Sequence, residues 1–172
     1  MKISIIGYSG AGKSTTCRSL ADFYDISFLH LDTVQFLPNW VTRDVSDGLK
    51  IVDEFMENTS WVIDGNYENY RQKERFEQAD KIVFLNFNRF SCLIRAYKRL
   101  FKYKNTSRES MAKGCNEKID REFFWWLVHE GRKKSKRDKY KELSQKYKEK
   151  FVLIKNQKEL NAFLDKEKSN AI

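Results

Sequence analysis

The feature that most constrains the fold is a glycine-rich segment near the amino terminus. Residues 7–14 follow the pattern G-x-x-x-x-G-K-[ST]. Glycines in such a loop let successive backbone N–H groups turn toward a polyphosphate. Lys13 is placed to reach the β- and γ-phosphates, and the Ser14 hydroxyl is placed to ligate Mg²⁺. The segment therefore predicts a nucleoside triphosphate site.

The residues on both sides of this loop supply the structural context that the motif requires. A short β-branched run precedes it at residues 2–6, and a helical pattern follows at residues 14–23. The amino terminus of that helix would direct free N–H groups and a favourable dipole at the phosphates. We assign phosphate and cofactor binding to Gly7, Ser9, Gly10, Ala11, Gly12, Lys13, Ser14 and Thr15.

Four further short apolar runs alternate with helical patterns along the chain. The runs cover residues 27–30, 60–64, 81–87 and 151–154. The helical patterns cover residues 43–58 (with Thr42 as the expected cap), 68–78, 89–103, 119–148 with a break near Gly131, and 158–165. Strands that alternate with helices predict a three-layer α/β fold with a parallel sheet. A length of 172 residues with a single proline predicts one domain, residues 1–172.

Two aspartates stand where predicted strands end. Asp32 follows the second strand, and Asp64 ends the third strand. Open parallel sheets bind ligands beyond the carboxyl ends of their strands. A carboxylate there could hold Mg²⁺ or serve as a base for an acceptor hydroxyl. We predict that Asp64 belongs to the metal site by holding a Mg²⁺-bound water, and that Asp32 orients or deprotonates the acceptor. The alternative is a helix cap or turn for Asp32 and an ordinary Asp-Gly turn for Asp64.

The positive charge is concentrated in one part of the chain. The net charge is +9, and residues 89–150 contain 20 basic and 8 acidic residues. Such a segment is typical of a nucleic-acid surface, of a solvated helix face or of a lid that handles phosphate. Arg95 and Arg99 share a helix face, and Arg108 follows in a loop. Guanidinium groups stabilise charge during phosphoryl transfer, so we predict that these arginines act with Lys13 in catalysis.

The cysteine pattern bears on compartment and metal binding. Cys17, Cys92 and Cys115 are odd in number and widely spaced, which favours reduced thiols in a cytoplasmic protein over disulfides or a zinc site. No signal peptide, transmembrane span or membrane partner is expected.

The aromatic residues 123–126 favour core packing, with base stacking as the alternative, and His30 is interpreted as structural.

Four segments of the chain together form a distinctive set: residues 7–14; residues 29–32 with Phe36, Pro38 and Trp40; residues 61–67; and residues 111–115 with Glu117 and Lys118. In these segments the chain resembles the DNA topology modulation protein (FlaR-related) family, and the resemblance runs from Lys2 to about Phe163. The family more often has Asp and Pro at the positions of Asn86 and Asn88, and Pro at the position of Glu109.

The resemblance implies a branch of the adenylate-kinase-like P-loop kinases, with ATP, Mg²⁺ and a mobile basic helical lid over about residues 95–135. It implies a five-stranded parallel sheet in the order 2-3-1-4-5, which would place Asp64 beside Ser14. Asp32 would match the acceptor-side aspartate of small-metabolite kinases such as shikimate kinase. The three arginines would occupy lid positions, and Asn156 would lie near the adenine.

These observations favour a kinase that transfers the γ-phosphate of ATP to a nucleotide or a small hydroxylated metabolite. The residues expected to bind the acceptor are Asp32, Trp40, Arg43, Gly65, Asn66 and Tyr67. One alternative is an ATP-binding DNA topology modulation protein with nucleic acid as its partner. Another is a slow ATPase switch. A monomer and a homodimer are both compatible with the sequence.

Overall fold

The central feature of the structure is a parallel sheet of five strands. The computed structural model describes residues 1–103, 110–112, 114–115 and 120–171. The strands in these residues are β1 (Lys2–Gly7), β2 (Phe28–His30), β3 (Phe36–Leu37), β4 (Val41–Thr42), β5 (Trp61–Asp64), β6 (Lys81–Leu85) and β7 (Phe151–Ile154). The sheet has the order β2-β5-β1-β6-β7, and each neighbouring pair is parallel.

The predicted fold class is confirmed. When the five sheet strands are counted alone along the chain, their order is 2-3-1-4-5. The two remaining strands, β3 and β4, form a small antiparallel hairpin that the sequence analysis did not predict. The fourth sheet strand ends at Leu85, two residues before the predicted end.

Eight α-helices occur in the described residues and flank the sheet. They are α1 (Lys13–Tyr24), α2 (Leu31–Gln35), α3 (Val45–Met56), α4 (Gln72–Gln78), α5 (Arg89–Lys102), α6 (Arg121–Val128), α7 (Lys134–Lys146) and α8 (Gln157–Asn170). A 3₁₀ turn at Glu130–Arg132 separates α6 from α7, so the chain does break near Gly131. No helix in the described residues is long and apolar enough to cross a membrane.

The core lies along the three central strands. Ile3, Ile5, Val62, Ile82 and Val83 are fully buried. Strands that are covered on both faces have near-continuous apolar sequences, which is why the sequence pattern located them. This packing fixes the carboxyl ends of β1 and β5 side by side, since Ile5 pairs with Asp64 in the register.

The start of α3 differs from the prediction. Thr42 was expected to cap this helix, but it lies in β4 opposite Phe36. The cap is Asp44, whose side chain accepts a hydrogen bond from the backbone N–H of Ser46 at 2.8 Å. The prediction was wrong because the hairpin occupies the residues just before the helix.

Candidate functional site

The glycine-rich segment of residues 7–14, called the phosphate loop here for its predicted role, connects β1 to α1. Its backbone conformation requires glycine at two positions. Gly10 and Gly12 have φ values of 77° and 98°, a region that L side chains rarely adopt. A Cβ atom at Gly10 would lie 2.5 Å from the carbonyl oxygen of Cys92 in α5. The loop is therefore held in shape by its own glycines and by the helix packed against it.

Lys13 lies over the first residues of this loop. Its Nζ donates hydrogen bonds to the carbonyl oxygens of Gly7 at 3.1 Å and Tyr8 at 3.3 Å. Burial lowers the pKa of the Lys13 ammonium, and the nearby charges of Asp32 and Asp64 oppose this shift. The predicted phosphate-binding cation thus lies within the electrostatic reach of both predicted carboxylates.

The predicted metal ligands lie together. The Ser14 hydroxyl donates a hydrogen bond to Oδ2 of Asp64 at 3.0 Å. The contact follows from the sheet order, because β5 lies directly beside β1 and ends level with the phosphate loop. A hydroxyl and a carboxylate are hard oxygen donors of the type that Mg²⁺ prefers, so the donor set fits this ion.

His30 supports the same carboxylate from the adjoining strand. Its Nδ1 lies 2.5 Å from Oδ1 of Asp64, and the two residues are register partners in β2 and β5. An ionised carboxylate only accepts, so Nδ1 is the donor. Cys17 completes a buried group whose ligand atoms lie within 4.8 Å of one another. Sequence reasoning missed this role of His30, which only strand register reveals.

The predicted acceptor residues form a hydrogen-bonded edge beside the loop. Tyr67 donates from its hydroxyl to Oδ1 of Asp32 at 2.8 Å, and burial raises the pKa of this phenol. The Asn66 amide accepts from the Gly7 N–H at 3.0 Å and donates to the Gly7 carbonyl at 2.8 Å. Gly65, which lies between Asp64 and Asn66, has a φ of 138°. This short segment therefore ties the end of β5 to the start of the loop.

Trp40 and Arg43 have structural contacts in the described residues. Trp40 packs edge-on against Phe36, with ring centroids 5.3 Å apart, and its backbone N–H donates to Sγ of Cys115. Arg43 donates from Nε to the carbonyl oxygen of Val34 at 2.7 Å. Their proposed contact with an acceptor stays a prediction.

Arg95 reaches the phosphate loop from α5. Its Nη1 donates to the carbonyl oxygen of Ala11 at 2.9 Å, and its guanidinium lies 4.3 Å from the ring centroid of Phe87. The charge of Arg99 adds to the effect of burial in lowering the pKa of Lys13. The third predicted lid arginine, Arg108, lies outside the described residues.

Asn156, the residue predicted to lie near the adenine, is placed at the start of α8. The Asn156 side chain accepts a hydrogen bond from the backbone N–H of Glu159 at 3.0 Å, so it caps α8. The next residue, Gln157, contacts the Arg95 guanidinium through Oε1. The contact of Asn156 with the adenine stays a prediction. In the described residues, Gln157 is connected to the phosphate loop through Arg95, which also donates to the carbonyl oxygen of Ala11.

Arg132 is a site residue that sequence reasoning missed. Its guanidinium carbon lies 3.8 Å from the ring centroid of Tyr8 in the phosphate loop. Its Nη2 donates to the carbonyl oxygen of Phe87 at 2.9 Å and lies 3.3 Å from Sγ of Cys92. The run of lysines and arginines that follows conceals this residue in the sequence, and the break at Gly131 is the one signal beside it.

A cleft opens between the phosphate loop and the helices α6 and α7. It has a cavity volume of about 80 Å³. One wall contains Tyr8, Ser9 and Asn66, and the opposite wall contains residues of both helices.

Comparison with known proteins identifies the fold. No family model and no curated protein matches the chain. Among solved structures it is similar to deoxyadenosine kinase from M. mycoides with bound dATP, at a TM-score of 0.60 and 16% identity, with 96% and 98% of the two chains covered. It is also similar to shikimate kinase from Acinetobacter baumannii in complex with shikimate, at a TM-score of 0.53 and 18% identity. The match covers 96% of this chain and 89% of the shikimate kinase chain.

A third similar structure is an uncharacterized protein from Eubacterium ventriosum, at a TM-score of 0.56 and 15% identity, with 99% and 98% of the chains covered. The two named neighbours are both kinases. At such identities the similarity shows the fold alone, which this chain shares with both kinases.

Proposed function

We propose that this protein is a Mg²⁺-dependent kinase that transfers the γ-phosphate of ATP to a nucleotide or a small hydroxylated metabolite. The observation that carries the proposal is the hydrogen bond of 3.0 Å between Ser14 and Asp64 next to Lys13. A phosphate loop alone supports nucleotide binding. A carboxylate at the motif serine adds the second protein ligand that a metal–nucleotide complex requires.

The proposed mechanism divides the work among the residues around the loop. Backbone N–H groups of the loop and Lys13 bind the phosphates. Ser14 and Asp64 would hold Mg²⁺, which would supply neutralisation of the phosphate charge. Asp32 accepts the proton of the acceptor hydroxyl on Oδ2, because Oδ1 already accepts from Tyr67. Arg95 and Arg99 stabilise the charge of the phosphoryl group in transfer.

The test is a screen for acceptor-dependent ADP release. ATP and Mg²⁺ are supplied with nucleosides, nucleoside monophosphates and small hydroxylated metabolites. We expect Lys13→Ala and Asp64→Asn each to reduce turnover by about 10²–10³-fold, the usual cost of removing one electrostatic contact to a transition state. The exposed Lys50→Ala variant is the matched control. Unchanged Mg²⁺-dependent turnover in Asp64→Asn would contradict the metal assignment.

A second candidate is the DNA-binding role that the resemblance to the DNA topology modulation family suggests. Its support is the row of exposed basic residues on α7, which includes Lys134, Lys136, Arg137 and Lys141. The convergence of Arg95 and Arg132 on the phosphate loop favours the kinase. DNA affinity that falls steeply with salt, without any acceptor-dependent ADP release, would reverse this choice.

The remaining alternatives follow from the same assay. ATP hydrolysis that no acceptor accelerates would identify a slow ATPase switch.

We propose a cytoplasmic location, where ATP is available and where three free, buried thiols stay reduced. A monomer and a homodimer both remain open for the proposed kinase.

A further inference from the structure

We propose that the solvent-facing side of helix α5 docks on a membrane surface that contains anionic lipids. The apolar part of this surface, here called the α5 face, consists of Phe90, Ile94, Tyr97 and Phe101. The proposed contact goes beyond the kinase function and does not depend on it. It differs from the expectation of no membrane partner, since a peripheral contact requires neither a spanning helix nor a signal peptide.

The apolar side of α5 is turned toward solvent. The four residues of the α5 face follow one another at intervals of four, three and four positions, so they lie on one side of the helix. Phe90 and Phe101, at the two ends of the helix, are 71% and 76% exposed. Ile94 and Tyr97 between them are also exposed. A surface helix normally has the opposite orientation, with its apolar stripe against the core.

The inner side of α5 is explained by the phosphate loop. Cys92 and Ala96 are buried there, and Arg95 donates to the carbonyl oxygen of Ala11. Small side chains let the helix approach the loop closely, so that the backbone of Cys92 lies against Gly10. Contacts with the loop thus account for the inner side of the helix. They give no reason for four large apolar side chains on the outer side.

The area of the α5 face suggests a functional surface but is small for a dimer interface. Its three aromatic residues expose roughly 400 Å², taking about 200 Å² for a whole aromatic side chain. Apolar patches of this size on a monomer are often functional. A stable protein–protein interface buries about 800 Å² on each partner, which is about twice this area. A membrane sets no such minimum, because burial and charge act together there.

The charges beside the α5 face fit an anionic surface. Residues 89–102 include five basic residues and no acidic residue. Lys98 and Lys102 are exposed on one flank of the apolar stripe, and Arg89 is exposed on the other flank. At a membrane, such long side chains reach the anionic headgroups while the apolar residues enter the acyl boundary. The α5 face therefore offers both interactions that an anionic bilayer surface provides.

Two other partners match the α5 face less well. A second copy of the chain, packed α5 against α5, would bring the cations of Lys98 and Lys102 close to those of the partner helix. A nucleic acid would match the charge, but Ile94 in the middle of the face offers no ring on which a base could stack. The anionic membrane surface satisfies the charge and the apolar stripe together.

The experiment is a vesicle sedimentation assay with the whole chain. Vesicles of phosphatidylcholine alone are compared with vesicles of phosphatidylcholine and phosphatidylglycerol in equal amounts. One double variant, Phe90→Ser with Phe101→Ser, removes the two most exposed apolar side chains. A second, Lys98→Gln with Lys102→Gln, removes two flanking charges. Its matched control, Lys50→Gln with Lys73→Gln, removes two exposed charges from α3 and α4. Thermal denaturation checks that each variant is folded.

We expect the wild type to bind the anionic vesicles at least about tenfold more tightly than the neutral vesicles, since each cation near the surface adds to the attraction. The serine variant should bind anionic vesicles about tenfold more weakly. The Lys98 and Lys102 variant should show a loss of about tenfold or more, and the Lys50 and Lys73 control should bind like the wild type.

Several results would overturn the proposal. Among them are no binding to anionic vesicles, unchanged binding of the folded serine variant, and equal losses in the two lysine variants. Sedimentation without lipid and titration with single-stranded and double-stranded DNA test the other partners. Self-association or DNA binding that the serine variant abolishes, without vesicle binding by the wild type, would assign the α5 face to a second copy or to nucleic acid instead.

Discussion

At the scale of single residues, the decisive group is the carboxylate of Asp64. It is 4% exposed, and a buried carboxylate is costly unless its oxygens accept hydrogen bonds. One oxygen accepts from Ser14 and the other lies against His30. His30 therefore orients the carboxylate in the way that outer-sphere partners orient metal ligands.

The first prediction concerns this positioning role of His30. His30→Ala removes the hydrogen bond at Oδ1 of Asp64, so the carboxylate loses its fixed orientation. We expect the Mg²⁺ concentration for half-maximal ADP release to rise about tenfold, the lower end of the usual loss for an outer-sphere partner. His129→Ala, at an exposed histidine, is the control. An unchanged Mg²⁺ titration would show that His30 is only a packing residue.

At the scale of elements, α5 determines the geometry of the loop. The backbone of Cys92 in this helix leaves no room for a side chain at Gly10, and Arg95 reaches the carbonyl of Ala11. Asn88 starts the helix, and its Oδ1 accepts from the backbone N–H of Ser91 at 2.9 Å. Asn88 is thus a regular helix cap.

The second prediction follows from this cap. Asn88→Ala should lower the free energy of unfolding by about 1 kcal/mol, because the N–H of Ser91 loses its acceptor. Asn88→Asp should preserve stability, since aspartate caps equally well. Urea denaturation of the three proteins is the measurement. A loss in the aspartate variant as large as in the alanine variant would contradict the capping role.

The third prediction concerns Gly10 in the loop itself. Gly10→Ala places a methyl group against the backbone of Cys92 and forces a left-handed φ, so it should destabilise the fold by at least about 2 kcal/mol. At Gly12 a Cβ atom would meet only the flexible tip of Arg95, at 3.1 Å. Thermal denaturation should therefore show a larger loss for Gly10→Ala than for Gly12→Ala. The reverse order would contradict the close packing of α5 on the loop.

At the scale of the whole molecule, one buried carboxylate connects the last helix to the rest of the fold. Glu167 in α8 is 2% exposed. It accepts a hydrogen bond from the Tyr24 hydroxyl of α1 at 2.7 Å and contacts the Lys81 ammonium of β6. These contacts join three elements that lie far apart in the sequence, so they contribute to the global stability of the domain.

The fourth prediction tests this connection. Glu167→Ala removes the partner of a half-buried lysine and of a phenol, so we expect a loss of about 3 kcal/mol in the free energy of unfolding. Tyr24→Phe removes one hydrogen bond and should cost about 1 kcal/mol. Denaturant titration at neutral pH is the measurement. Equal losses in the two variants would contradict a role for Lys81 in the contact.

The fifth prediction concerns alkaline pH. Burial, with the hydrogen bond and charge of Glu167, raises the pKa of Tyr24 to about 12. The folded protein therefore holds this proton more tightly than the unfolded chain, whose phenols titrate near pH 10. The contribution of Tyr24 is fully present below pH 10 and is lost as the pH rises through 12. Wild type should lose stability across this interval more steeply than Tyr24→Phe, and parallel curves would contradict the shift.

Much of the fold could be predicted from the sequence, because buried parallel strands have near-continuous apolar sequences and the phosphate loop has a distinctive pattern. The loop residues, Asp64 and the parallel sheet followed from local chemistry. Local patterns also misled, as at Thr42, where a hairpin occupies the residue that was expected to cap a helix. Helix-capping propensity describes only the local sequence, so it cannot predict that the tertiary structure uses Thr42 in a hairpin instead.

Local sequence patterns are sufficient to predict the glycine-rich loop, the strands of the sheet and the concentration of positive charge. Which residues meet at the site depends on the tertiary structure. His30 lies 34 residues from Asp64, and Asn66 lies 59 residues from Gly7. Sheet order and strand register bring these pairs together, and the turn after α6 brings Arg132 over Tyr8. Local spacing contains no information about such contacts, because they depend on how the crossover connections pack on the sheet.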